Sequence, residues 1–299
     1  MFSSKPLLLS LSGLVLISGC SASGQHATPV TVAQMRHSNA SQYIKNVVVI
    51  VQENRSFENF FAGYPGANAP MTGCALPYGS VGERLRKARV RHKSASGCPA
   101  GDISVPLVQD TFKSNPDGQH DWGSSMIDWN NGNMDGFSHW GPSSNHTIEY
   151  NYIDHNEIAP YWSMAQQYVL ADEMFPTEFG GSFTGHLTLV AGTDDIKLPS
   201  KAEVNFPSHT PDDCDSPKGT KSSYVAQSPY RQIHLFQGPF PCFDQFNTIA
   251  QVLDNANVSW KIYANRVLDG GFWEPFEAIK YVRYGSDWPK DISAPQTNA

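Results

Sequence analysis

Residues 46–61 read NVVVIVQENRSFENFF, and this stretch decides the fold. Residues 47–51 are apolar at every position, which is typical of a strand buried on both faces in a parallel sheet. The run stops at Glu53 and Asn54, and in open α/β sheets ligands bind outside the carboxyl ends of the strands. A carboxylate beside an amide oxygen suits a divalent cation. The alternative is that Glu53 and Asn54 cap the helix that follows.

The amino-acid composition excludes some classes of protein. The 299-residue chain has a net charge of -7 and no basic run, so it lacks the electrostatic footprint of a nucleic-acid-binding protein. Apolar residues make up 40% of the chain, which is ample for a packed core and argues against disorder. The length suits one large α/β domain or most of one.

The first residues predict export. Lys5 and the apolar stretch 7–17 are typical of a signal peptide over residues 1–19. Residues 17–20, ISGC, resemble the lipobox of bacterial lipoproteins, in which the cysteine, here Cys20, becomes lipid-modified. A plain secretory peptide is the alternative. Residues 20–41 are predicted as a lipid-anchored flexible tether, and residues 42–299 as the N-terminal part of a catalytic domain.

Four further cysteines predict two disulfides, because an even count in an exported chain favours pairing. Two stretches rich in Pro, Gly, Ser and Asp, residues 64–118 and 194–241, are predicted as long loops. The spacing of the four cysteines predicts one disulfide for each stretch, between Cys74 and Cys98 for the first and between Cys214 and Cys242 for the second. A zinc site is disfavoured, since no CxxC or CxH spacing is present.

Alternating helices and apolar strands predict a mostly parallel α/β sheet flanked by helices. The predicted helices cover residues 157–167, 182–191 and 246–255, and the predicted strands cover residues 168–175 and 258–263.

A series of motifs carries a family resemblance. After ENRSF come NGNMDGF at 131–137, IAPYW at 158–162 with YVLADEMF at 168–175, PCFD at 241–244 and SWKIY at 259–263. In this order they resemble a bacterial phosphoesterase family that holds non-haemolytic phospholipases C and acid phosphatases. The resemblance implies an alkaline-phosphatase-like fold and hydrolysis of phosphate esters with a divalent metal of unknown identity.

The stretch FGGSFTGHL at 179–187 supplies the candidate nucleophile. Two glycines permit a tight approach to a helix, and Ser182 would lie at its N-terminus, where free N–H groups favour a phosphate. Taken without the resemblance, the position of Ser182 favours a helix cap over a nucleophile. The resemblance assigns it as the nucleophile, with Thr184 as the competitor.

The resemblance also assigns the surrounding groups. Glu53 and Asn54 align with the metal or phosphate ligands, and they are taken here as metal ligands. Gly181 and His186 are predicted to bind the phosphate, with contact to the leaving group as the alternative for His186. His186 stands where many members have Arg, which leaves the substrate class open. His120 is the candidate for phosphate contact or proton donation, with an ordinary loop histidine as the alternative.

Other polar residues receive lesser roles. Asp135 and Asp172 are predicted to be structural and to accept hydrogen bonds in turns. His139, His146 and His155 have no spacing that singles one of them out.

The sequence thus predicts an exported, membrane-anchored phosphoesterase acting on a phosphomonoester or a phospholipid, at the outer membrane or its periplasmic face. The alternative is a non-catalytic surface lipoprotein or an inactive fragment that keeps the fold. Family members continue past this point with an acidic pair, so we expect this chain alone to turn over little substrate.

The lipobox generates the first testable prediction. Mature protein is expected in the membrane fraction and is expected to incorporate labelled palmitate at Cys20. Cys20→Ser should abolish both. Unchanged membrane attachment in that variant would show that the segment is not a lipobox.

Overall fold

The computed structural model describes residues 43–77, 97–113, 118, 120–137, 149–198, 201–226, 232–264, 274–288 and 292–293. The predicted signal peptide, Cys20 and the tether lie outside these residues, as do His139 and His146. Chain contacts divide the molecule into residues 1–52 and residues 53–299. Within the described part, no helix is long and apolar enough to cross a membrane.

The structure of the first unit contradicts the buried strand predicted at residues 47–51. Residues 47–51 form no strand, and their side chains are between 55% and 86% exposed. An apolar run becomes a buried strand only where other strands pair with its edges, and no described strand pairs with this segment. The prediction of a buried strand at residues 47–51 is therefore wrong for the described structure.

The second unit contains short elements. Its helices are α1 Phe57–Phe61, α2 Trp122–Trp129, α3 Ala159–Gln167, α4 Ser182–Ala191, α5 Ile249–Asn255 and α6 Lys280–Arg283, with 3-10 turns at Asn130–Gly132 and Pro275–Ala278. Its strands are β1 Thr72–Ala75, β2 Ile103–Pro106, β3 Val108–Asp110, β4 Asn151–Ile153, β5 Asp195–Lys197, β6 Lys201–Pro207, β7 Ser222–Ala226, β8 Gln232–His234, β9 Ile262–Tyr263 and β10 Ile292–Ser293.

The described strands form small sheets. The largest has four strands in the order β5-β6-β7-β8, and every pairing in it is antiparallel. Strands β1 and β2 pair antiparallel, whereas β3 with β4 and β9 with β10 pair parallel. The fold is thus mixed α/β, and the described residues do not form the mostly parallel sheet that the sequence predicts.

The predicted helices agree better with the structure than the predicted strands. Helix α4 has the predicted bounds, α3 begins two residues late, and α5 begins at Ile249 because Thr248 caps it in a capping box. The predicted strand at 258–263 is reduced to β9. The strand predicted at 168–175 is absent, with Val169 91% exposed, because no described strand pairs with it.

The main hydrophobic core lies under α4. Phe183, Leu187 and Val190 recur at helical spacing on one face of this helix and are buried. They pack against the antiparallel sheet, including Val204, and against Phe276 and other residues of the Pro275–Ala278 turn region. This packing fixes the position of the helix on which Ser182 lies.

Both predicted disulfides are confirmed. Cys74 bonds to Cys98 and Cys214 to Cys242, with sequence separations of 24 and 28 residues. The Cys214 loop is also tied to the core, because the Cys214 N–H donates to the Glu277 carbonyl at 3.1 Å. The stretch 194–241, predicted as a long loop, instead carries strands β5 to β8, and the Cys214–Cys242 bridge encloses β7 and β8. The prediction of a long loop there is therefore wrong.

Removing either disulfide should destabilise the fold by similar amounts. On the chain-entropy model, loops of this size lose roughly 3 kcal/mol of stabilisation when opened. We expect Cys214→Ser/Cys242→Ser and Cys74→Ser/Cys98→Ser each to lower the free energy of unfolding in urea by about that amount. A Cys98–Cys214 crosslink as the main species in non-reducing peptide maps would contradict the pairing.

Candidate active site

Ser182 is the first residue of α4. The cap is Gly181, whose backbone is extended (φ -80°, ψ -171°) and which offers no side-chain hydrogen bond to the first turn. The N–H groups at a helix start point outward with the positive end of the helix dipole. The interpretation of Ser182 as an N-cap is therefore wrong, and its half-buried hydroxyl stands beside a helix start suited to an anion.

Gly181 brings His120 to the same place. A Cβ on Gly181 would lie 3.2 Å from the carbonyl oxygen of His120, so glycine here permits a close approach of two backbone segments. The His120 side chain is exposed, and its Nδ1 lies 2.8 Å from the carbonyl oxygen of Gly118. Because a carbonyl only accepts, Nδ1 carries the proton in this arrangement.

A hydrogen bond joins Glu53 to His186. The Nε2 of His186 bonds Oε2 of Glu53 across 133 positions of sequence. The two side chains are 29% (Glu53) and 13% (His186) exposed, so the pair is partly shielded from water. His186 lies four residues after Ser182 and therefore shares its face of α4. The structure thus brings Glu53, Ser182 and His186 to one side of one helix.

Glu53 and Asn54 do not cap α1. Its N-cap is Ser56, which accepts from the Asn59 N–H at 3.2 Å while the Asn59 side chain accepts from the Ser56 N–H at 3.1 Å. Asn54 is exposed and adopts a left-handed φ of 61°, a conformation that asparagine tolerates better than most residues. The capping alternative for this pair is therefore wrong.

The described residues do not hold a complete metal site. Among them, no group of three or more His, Cys, Asp or Glu side chains is arranged to hold a metal ion. Glu53 and Asn54 offer oxygen donors of the type that hard divalent cations take, but two ligands are a partial set. The oxygen atoms of Glu53 and Asn54 are the kind of ligand that such an ion takes. Their number within the described residues is too small for a complete set of ligands.

Thr184 is excluded as the competing nucleophile. Its side chain is buried, and its hydroxyl donates to the Val204 carbonyl at 3.2 Å, toward β6 and away from solvent. Asp172 accepts a backbone hydrogen bond as predicted, from the Asn68 N–H at 2.7 Å, and Asp135 accepts from the Asn130 side-chain amide at 2.6 Å. His155 packs on the Trp162 ring, with centroids 4.0 Å apart.

Glu178 is a neighbour of the site that the sequence did not single out. A Cβ on Gly180 would lie 2.5 Å from its Oε2, so the carboxyl group lies against the start of α4. Burial first, and then the charges of Asp194 and Glu203, raise the pKa of Glu178 to about 7. Below that pH the group is neutral and does not repel an anion at the helix start. The place of Glu178 beside the site is evident only from its burial in the structure, because no sequence motif marks this residue.

The comparison with known families decides the affiliation of the chain. The model of the Phosphoesterase family matches residues 44–299, which include Glu53, His120, Ser182 and His186. The chain belongs to the phosphoesterase family. This confirms the affiliation that the ENRSF motif and the motifs after it predict.

One protein to which the chain is similar is the non-hemolytic phospholipase C of Pseudomonas aeruginosa. It is 26% identical over 235 residues, which are 77% of this chain and 28% of that protein. The present chain therefore spans less than a third of the length of the relative that it matches.

The pair of Glu53 and His186 can be tested by a double-mutant cycle. We expect Glu53→Ala, His186→Ala and the double variant to give a coupling free energy of about 1–2 kcal/mol in urea unfolding, since the bond involves a charged group. The cycle Glu58→Ala with His186→Ala serves as a control, because Glu58 lies on α1 and has no bond to His186 among the described contacts. Coupling near zero for Glu53 and His186 would contradict the contact.

Proposed function

We propose that the protein is an exported phosphoric ester hydrolase in which Ser182 is the nucleophile. Membership of the phosphoesterase family supports hydrolysis of phosphate esters. The observation that carries the assignment of Ser182 is its position: first residue of α4, uncapped by a side chain, on the face that also holds the Glu53–His186 pair. Gly180 and Gly181 let Glu178, Thr184 and the His120 backbone pack closely against the start of this helix.

The phosphate group would bind at the start of α4. Backbone N–H groups and the helix dipole favour its negative charge, and Gly181 lets the phosphate approach the backbone. His186 would contact the phosphate or the leaving group from the face that it shares with Ser182, with its ring oriented by Glu53. Protonated Glu178 would leave the site without an opposing charge at acid pH.

The chemistry proceeds by covalent catalysis. The Ser182 hydroxyl group gives its proton to solvent as its oxygen attacks phosphorus in line. The bond between phosphorus and the ester oxygen breaks, that oxygen takes up a proton, and a phosphoserine forms. Water then attacks this intermediate, releases phosphate and restores the hydroxyl group. His120, whose backbone touches Gly181, is the proposed donor of the proton to the leaving oxygen.

A divalent metal ion is proposed to bind beside Glu53 and Asn54. When bound, such an ion lowers the pKa of a nearby hydroxyl group and neutralises charge on the phosphate. Its identity and its remaining ligands are not set by the described residues. Glu53 would then serve both the ion and the orientation of His186.

The wider setting is also proposed. The catalytic domain is proposed to adopt the alkaline-phosphatase-like arrangement, in keeping with its family and with the parallel pairs β3–β4 and β9–β10. Two disulfides favour an oxidising compartment, in line with export and a lipid anchor at Cys20. The substrate is proposed to be a phosphomonoester or, by similarity to the phospholipase C, a phospholipid.

The test is an assay with a chromogenic phosphomonoester and a phosphodiester, with and without added divalent metal. Ser182→Ala should lower kcat by at least about 10³-fold, because the hydroxyl forms the intermediate. Thr184→Val is the matched control and should keep most of the activity, since Thr184 faces Val204. His186→Gln, which keeps an N–H donor for Glu53, should retain more activity than His186→Leu.

Two outcomes would contradict the proposal. Activity that survives Ser182→Ala would exclude Ser182 as the nucleophile. Absence of turnover on both substrates with metal present, by this chain and by a longer form that adds the family's later acidic pair, would favour the alternative, a non-catalytic surface lipoprotein that keeps the fold.

A further inference from the structure

A small cavity lies beneath α4, on the side opposite Ser182. Phe183 and Leu187 of α4 form one wall, and Asp212, Asp213 and Glu274 line the rest together with Pro275 and Ala278. The space holds about one water-sized particle, so it excludes an organic ligand. Its lining joins apolar helix side chains to carboxyl groups.

Four carboxyl groups at this place are almost fully buried. Asp212, Asp213, Glu274 and Glu277, here called the carboxyl floor, are each 1% or 2% exposed. Neither carboxyl oxygen of Asp212 has a hydrogen-bond partner within the described structure, and neither has Oε2 of Glu274. Buried carboxylates without such partners are costly, whereas buried carboxylic acids are not charged and can donate a hydrogen bond.

The charged groups around the carboxyl floor do not neutralise it. Arg283 acts on Asp213, but its guanidinium already bonds Asp215, with Nε at 2.9 Å and Nη2 at 2.6 Å from one oxygen. Asp213 accepts from the Asp215 N–H at 2.6 Å and shares a hydrogen bond with Glu277. The wall from α4 is apolar.

We propose that the carboxyl floor is a proton-dependent latch that holds the Cys214 loop and the Pro275–Ala278 turn against α4 at acid pH and loosens as its carboxyl groups ionise. Phe183 and Leu187, which touch the cavity, alternate along α4 with Ser182 and His186, which face the candidate active site. Loosening of the floor therefore reduces the order of the helix that presents Ser182.

The ionisation behaviour of the group agrees with this geometry. Burial, with a smaller contribution from the charge of Asp213, raises the pKa of Asp212 to about 6. Burial raises the pKa of Glu274 to about 7 and also raises the pKa of Asp213. In the unfolded chain these groups ionise near their ordinary pKa of about 4. Folding then carries no ionisation cost below about pH 4, an increasing cost up to about pH 7, and the full cost above it.

The experiment measures melting temperature and amide hydrogen exchange at pH 5 and pH 8. In the unaltered protein, the melting temperature should fall by about 5 °C or more between these pH values. Protection factors of the Leu187 and Val190 amides, corrected for intrinsic exchange at each pH, should fall at least about tenfold. In Asp212→Asn/Glu274→Gln, whose amides mimic neutral carboxyl groups, the loss of protection should largely disappear and the protein should be more stable at pH 8. The fall in melting temperature should shrink to the part that Asp128 and Glu178 contribute, because burial raises their pKa values to about 7 as well.

Asp244→Asn is the control, because that carboxyl group is largely exposed and pairs only loosely with Lys280 at 3.9 Å. It should keep the pH dependence of the unaltered protein. The single variants Asp212→Asn and Glu274→Gln should each remove part of the fall, so the latch is tested even if the double variant folds poorly. A melting temperature that is flat or rises from pH 5 to pH 8, or a fall in the double variant as large as in the unaltered protein, would overturn the proposal. These readouts do not involve catalysis, so the result is independent of the proposed function.

Discussion

The burial of one face of α4 is the constraint on which the rest of the structure depends. Phe183, Leu187 and Val190 place this face in the core, against the antiparallel sheet and the Pro275–Ala278 turn. A helix fixed on one side must present its other side to whatever lies outside. Ser182 and His186 lie on that outer side. Their positions are fixed because the buried apolar side chains hold the helix in place.

The outer face gains its chemistry from a contact between distant parts of the chain. Glu53 reaches His186 across 133 positions, and the loop that holds His120 reaches Gly181 because no side chain stands in the way. Both contacts converge on the first turns of α4, where the helix dipole is positive. The side chains that the proposed function uses therefore lie at one end of a single helix.

Carboxyl groups surround α4 on two sides, and burial raises their pKa values in both places. Glu178 lies at the helix start, and the carboxyl floor lies below the helix. Desolvation disfavours a charged carboxylate, so these groups stay protonated at pH values where an exposed carboxyl group has ionised. In both places acidic conditions favour the uncharged form of the carboxyl groups.

The sequence by itself determined the local elements and the family. The bounds of α4, the pairing of the four cysteines and the ENRSF motif were read from spacing and residue type, because these depend on neighbours in the chain. The strand predictions for residues 47–51 and 168–175 were wrong, because an apolar run does not show which strand will pair with it. Ser182 was placed at the helix start, but only the structure showed that Gly181 is the cap.

Only the tertiary structure decided what stands next to what. The bond between Glu53 and His186, the exclusion of Thr184 by its bond to Val204, and the burial of Glu178 involve residues far apart in the chain or the exclusion of water. The carboxyl floor is the clearest case, because in the sequence its aspartates read as an ordinary polar loop. Burial depends on the whole packed chain, and a linear pattern of residue types does not contain it.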